Sequence, residues 1–174
     1  MGASAPGVRH RPIAAAGADG RGIGLTAPTS RRRSPSRSTG TQARRLALLA
    51  LFEADFGVRR TESALDRLTL EQGLSDEVAE HARMLVRGVD EHRAELDARI
   101  AEVAPQIPVD ELGRVERAIM RSAIYEMLYS AATSSPEAIR DAVVLARIYA
   151  GDAARRLVNG VLGQVSRTSA NRRT

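Results

Sequence analysis

Two of the three histidines, a few spaced carboxylates and a cluster of arginines are the side chains of this 174-residue sequence whose types and spacing could do chemistry. His81 and His92 fall eleven residues apart on what reads as one helix, which puts them on similar faces but about 16 Å apart along its axis. They cannot share a metal. His92 continues an apolar stripe, so its ordinary reading is a hydrogen-bonded core or boundary residue rather than a ligand or general base. Glu116 and Glu126 stand ten apart on a surface-type pattern, where solvated charge is the default. No Ser-His-Asp order, phosphate-binding glycine loop or HExxH pattern is present. The sequence has no cysteine, which excludes disulfides, thiolate zinc sites and cysteine nucleophiles together. The expectation is a protein that binds and does not catalyse, with no metal or cofactor.

The arginines suggest what it binds. All 26 basic residues are arginine, and residues 1–40 hold seven of them against the single acid Asp19. Residues 41–174 hold nineteen against twenty acids, so the net charge of +5 belongs to the N-terminal segment. Arg31, Arg32, Arg33 and Arg37 precede a first helix that opens with Arg44 and Arg45. Arginine grips phosphate bidentately and stacks on bases, and such a series can track an RNA backbone. The same residues also read as a solubilising tail, with Arg44 and Arg45 in ordinary surface pairs. Aromatics make up only 3% of the chain. Phe52, Tyr125, Tyr129 and Tyr149, at helical spacing, read as core residues rather than a stacking platform.

The elements that would position these groups are helical. Residues 1–38 are rich in Gly, Ala, Ser, Pro and Arg, without periodicity and too poor in large apolar groups to offset their ordering entropy, so a disordered tail is expected. An Arg- and Ser-rich, acid-poor leader also fits an organellar transit peptide. No apolar run approaches the roughly 18 residues of a membrane span, and a cytoplasmic protein is expected. From Thr39, with Gln42 in capping-box spacing, the pattern is helical to about residue 168, leaving 169–174 as a short tail. Thr61 reads as the cap of a second helix ending at Gly73. Ser75 reads as the cap of a long third helix, about 43 Å from that cap to Val103, with apolar positions recurring from Val78 to Val103. Gly88 inside it costs about 1 kcal/mol and suggests close helix packing. After Pro105 and Pro108, a helix follows from Val115 to about Ala131, with Ala118, Ile119, Ala123 and Met127 on its apolar face and Glu116, Arg117, Arg121 and Glu126 off it. Ser135 and Pro136 open another helix, and Gly151 with Asp152 separates it from the last. The class is all-α, a bundle of about six or seven helices.

Four stretches carry a family resemblance: Ala43 to Glu53, Leu85 to Val89, Val115 to Tyr129, and Leu157 to Val165 (LVNGVLGQV). Together, in this order and spacing, they make residues Thr41 to Thr168 resemble the NusB family of bacterial transcription antitermination factors. The resemblance implies a NusB-like helical bundle in residues 39–168. It further implies binding of boxA-type single-stranded RNA of nascent ribosomal transcripts, jointly with a small ribosomal-subunit protein in its NusE role, within the RNA polymerase antitermination complex. By position it implies that Arg44, Phe52 and Glu116 meet RNA, beside the arginines Arg31, Arg32, Arg33, Arg37 and Arg45. The turn holding Asp152, Arg155, Arg156 and Leu157 would then lie near both the RNA and the protein partner, and these four residues are expected to meet the partner. The chain departs from the family pattern where Ala153 and Ala154 replace an Asp-Ser step and Leu157 a Phe. It departs again at Arg140 and Asp141, where an Asn-Glu step is usual. A second reading is an interaction module like the N-terminal domain of ribosomal RNA cytosine methyltransferases. The ValAsnGlyValLeuGly form at Val158 to Gly163 favours the stand-alone factor.

Overall fold

Apolar side chains recurring at three and four residues close into helices wherever a partner face exists to bury them. The computed structural model describes residues 37–57 and 60–171, and among them it contains six helices and no strand. These are α1 (Arg37–Asp55), α2 (Thr61–Glu71), α3 (Asp76–Glu91), α4 (Arg93–Val103), α5 (Arg114–Tyr129) and α6 (Ser135–Asn171). α1 packs on α2, α3 and α5, while α5 and α6 form the most extensive pair. Leu46, Leu65, Leu85, Ile100, Met120, Ile124 and Leu162 are fully buried where these helices meet.

The element boundaries differ from the sequence reading in ways that have local causes. The single long third helix is two, because His92 leaves helical geometry (φ −105°, ψ 12°) between α3 and α4. Leu96 and Ile100 are nevertheless buried, so the apolar pattern continues across a change of direction. α1 already includes Arg37, and Thr39 is a buried residue within it rather than its cap. α2 is entered at Arg60, and the Thr61 hydroxyl donates to Asp90 instead of capping. Ser75 does cap α3, accepting from the Val78 N–H at 3.4 Å. At α6 the capping oxygen comes from Ser134, one residue before the serine expected. α6 extends through residues 169–171, which the sequence reading left as tail, and holds one break at Gly151 (φ 85°, ψ −172°). That conformation is essentially restricted to glycine, and it divides the helix where the Gly-Asp step indicated.

Two further glycines are fixed by contact or conformation. At Gly88 a Cβ would lie 2.0 Å from Tyr125 Cζ, so α3 accepts the α5 ring only without a side chain there. At Gly73 (φ 59°) the chain leaves α2 with Leu74 N–H bonded to Thr69 O and Gly73 N–H to Leu70 O, the left-handed stop that glycine favours.

The largest departure from expectation lies in the core. Glu126 and Arg121, read as outward-facing, are 1% and 7% exposed. Arg121 pairs with Asp97 of α4 at 2.7 Å. Glu126 receives both Nε and Nη2 of Arg44 at 2.8 and 3.0 Å, together with the Thr133 hydroxyl at 3.0 Å. Arg44 is itself only 4% exposed, and its Nη1 meets Asp141 of α6 at 2.6 Å. Glu137 lies 3.3 Å from the same guanidinium, and Thr41 donates to Asp141 at 2.9 Å. This cluster bolts α1 to α5 and α6. Burial works against the Arg44 charge, but hydrogen bonding and charge from Glu126, with the charge of Asp141, hold its pKa above the ordinary arginine value.

Candidate nucleic-acid interface

With Arg44 turned inward, its neighbour Arg45 faces out, about 100° further round α1. Arg45 belongs to an outward stripe at three- and four-residue spacing: Ser38, Thr41 and Arg45 are exposed, Leu49 and Phe52 half-buried, Phe56 exposed. Arg45 Nε donates to the Tyr149 hydroxyl at 2.7 Å and Nη1 to Gln72 Oε1 at 2.8 Å. The junction therefore joins α1, the end of α2 and the α6 segment before its break. Both acceptors are neutral, so the guanidinium is held in place without its charge being cancelled.

Beyond Tyr149, the break at Gly151 brings more arginines together. Asp152 is shared by Arg155 at 3.1 Å and Arg147 at 3.9 Å, and all three are solvent-accessible. Arg156 is exposed and pairs with no carboxylate among the described residues; Arg45, Arg60, Arg114 and Arg167 do likewise. Leu157 is half-buried against the core. Ala154 is 3% exposed, so of the two alanines that depart from the family pattern only Ala153 is available to a partner.

At the other end of the stripe Phe56 meets Phe52 edge-on, with centroids 5.0 Å apart, and the Arg114 guanidinium lies 4.1 Å above the Phe56 ring. Glu116, two residues on, is half-buried. Its Oε2 stands 2.1 Å from where a Gly113 Cβ would be, so the carboxylate is folded back over the start of α5. A negative charge is favoured at that helix end. This gives Glu116 a structural role in the helix start and no attraction for phosphate.

Of the residues expected to meet RNA, the structure thus brings Arg45 and Phe52 to one surface stripe and Glu116 near its far end. It removes Arg44 to the interior, where its hydrogen-bonding capacity is taken up by carboxylates, and this corrects its reading as a surface residue. Arg31, Arg32 and Arg33 lie outside the described residues, as does the Arg37 side chain. Gln72, Arg147 and Tyr149 were missed. Tyr149 was read as core because helical spacing shows which face a ring lies on, not whether its hydroxyl reaches the rim. Among the described residues no group of three His, Asp or Glu side chains could hold a metal ion.

Arginines without a carboxylate partner beside the half-buried Tyr149 and the exposed Phe56, carried on six helices, make this an all-helical domain with cationic and aromatic groups at its surface. The chain belongs to the NusB family, whose model matches residues 41–167. It is 37% identical over 126 residues to the transcription antitermination protein NusB of Heliobacterium modesticaldum, covering 72% of this chain and 61% of that one. The chain therefore spans about three fifths of that relative's length. It is 40% identical over 121 residues to the NusB of Chloroflexus aggregans, covering 68% of this chain and 81% of the relative. Its fold is similar to that in a crystal structure of antitermination factors NusB and NusE in complex with dsRNA. There the TM-score is 0.68 at 26% identity, covering 75% of this chain and 98% of the other.

Proposed function

We propose that this protein is a cytoplasmic transcription antitermination factor that binds boxA-type single-stranded RNA of nascent ribosomal transcripts together with a NusE-type small ribosomal-subunit protein. In this reading it delivers both to the RNA polymerase antitermination complex and catalyses nothing. The observation that carries the reading is Arg45: an exposed guanidinium fixed by Tyr149 and Gln72, with its charge intact, beside the arginines of the α6 break. Phosphate contact by such groups supplies affinity and register. The names of the NusB relatives and of the NusB–NusE–RNA complex support the same role.

Within this reading RNA runs over Arg45 and the Arg147–Arg156 region, and Arg31, Arg32, Arg33 and Arg37 add charge to its binding. The Phe52–Phe56–Arg114 corner, an aromatic pair capped by arginine, has the composition of a protein-binding hot spot and is assigned to the NusE-type partner. This moves Phe52 from the RNA, where the family resemblance puts it, to the protein partner, and gives residues 152–157, which the resemblance puts near both, to the RNA. Fluorescence anisotropy with a boxA-type RNA, with and without NusE, tests both. Arg45→Ala and Arg156→Ala should weaken binding of RNA alone. Phe56→Ala should leave RNA alone unaffected and lose the gain that NusE confers. If the unaltered chain binds RNA neither alone nor with NusE, the proposal fails.

A further inference from the structure

Tyr129 closes α5 with 43% of its surface exposed, although its spacing reads as core. His92 stacks on it with centroids 4.2 Å apart and planes 24° apart, and Tyr125 lies 5.4 Å away at 28°. If these two rings sandwiched Tyr129, they would be separated by nearly the two distances laid end to end. They are 5.9 Å apart, so both sit towards one side and leave the opposite face of Tyr129 clear of either ring. The platform is also braced. Tyr125 is seated over Gly88, and the Tyr129 hydroxyl donates to Glu95, whose other oxygen lies 3.6 Å from Arg99.

Beside the ring runs a groove lined by Leu128, Ser130, Thr133, Ser134 and Ser135, with hydroxyls and no charged side chain. Two residues further on, Glu137 reaches Arg44 and stands 3.7 Å from where a Gly40 Cβ would be. The first turn of α1, into which the arginine-rich segment leads, therefore adjoins the groove.

We propose that the open face of Tyr129 takes one unpaired nucleobase of the bound RNA, with its sugar-phosphate lying along the hydroxyl-lined groove. This rests on the RNA-binding reading above and extends the RNA path past the start of α1 to the end of α5. Stacking suits a neutral base because it draws on the π-face and needs no local positive charge. The Glu95 carboxylate is already occupied by Tyr129 and Arg99, and so presents less bare charge to a passing strand.

The test uses the full chain and a fluorescein-labelled, unstructured ten-nucleotide RNA read by anisotropy. Tyr129→Phe keeps the ring and should bind within about twofold of the unaltered chain. Tyr129→Leu should bind roughly tenfold or more weakly, the usual effect of losing one stacked base. Its dependence on salt should be unchanged, since no phosphate contact is removed. Photolysis of the same RNA carrying 5-iodouracil should attach it to Tyr129. If the unaltered chain binds and Tyr129→Leu binds equally well, the stacking site is refuted while the RNA reading stands. If Tyr129→Phe is as weak as Tyr129→Leu, or if Leu lowers the melting temperature and alters the salt dependence, the hydroxyl or the fold is at work and the proposal fails. Loss of NusE binding with RNA binding intact would make the ring a protein contact and also overturn it. An unaltered chain that binds no RNA ends both readings.

Discussion

Arg44 is held by carboxylates from two other helices, and shortening it would strand Glu126 in an interior that is 1% exposed. Leaving one partner of a buried ion pair uncompensated costs about 3–5 kcal/mol. Arg44→Ala should therefore lower the melting temperature by about 10–20 °C in a domain of this size, a loss that calorimetry would register. Arg44→Lys should fall between, because an ammonium keeps the charge but cannot spread it in a fork across Glu126 and Asp141. The same cluster gives stability a pH dependence. Burial pushes the Glu126 carboxyl up, but the nearby His81, hydrogen bonds from Arg44 and Thr133 and the Arg44 charge outweigh it, and the net value is below that of a free glutamate. A folded value below the unfolded one means that this contribution is complete above about pH 4.3 and disappears as pH falls through the lower folded value. Urea titrations of the unaltered chain and Glu126→Gln should differ most near neutrality and draw together as pH falls below about 4.3. None of this was legible beforehand. A carboxylate beside an apolar stripe reads as surface, and the arginine that neutralises it lies 82 residues away, a distance that no local pattern encodes.

At the scale of the elements, Gly88 and Tyr125 make a matched pair on α3 and α5. Alanine is the better helix former by about 1 kcal/mol, yet Gly88→Ala should destabilise the domain by about 1–3 kcal/mol, because its methyl group would occupy the Tyr125 ring position. In a Tyr125→Ala background the same change should be neutral or stabilising, and equal penalties in the two backgrounds would show that the ring is not the obstacle. Close packing at Gly88 could be read from sequence, since a glycine inside a strong helical pattern needs a reason. The Ser75 cap, the Gly73 stop and the Gly151 break were legible on the same footing, each from a residue type that suits one backbone state. The turn at His92 was not. Leu96 and Ile100 keep the apolar rhythm across it, and a one-residue change of direction leaves three-and-four spacing almost intact. Tyr129 was misread for a related reason: it ends its helix, where the bundle no longer covers that face.

For the molecule as a whole, charge is divided unevenly, with the surplus in residues 1–40 and near balance in residues 41–174. If the N-terminal arginines neutralise about four phosphates, log affinity for single-stranded RNA should fall against log salt with a slope near −3, at roughly 0.7 per contact. Replacing Arg31, Arg32, Arg33 and Arg37 with Ala should flatten the slope without altering which RNA is preferred, since phosphate contacts carry no sequence information. An unchanged slope would confine the RNA site to the helices. The Arg44 cluster bears, finally, on how the chain is made. α1 can lay its apolar side on α2 and α3 as soon as these leave the ribosome, but Asp141 follows Arg44 by 97 residues. At 5–20 residues per second that interval is roughly 5–20 s. For the first 82 residues of it a guanidinium destined for the interior has neither of its buried carboxylates, and after that only Glu126, so the nascent N-terminal half can be collapsed yet not closed. Synthesis of the last two helices is then the event that locks the first one down.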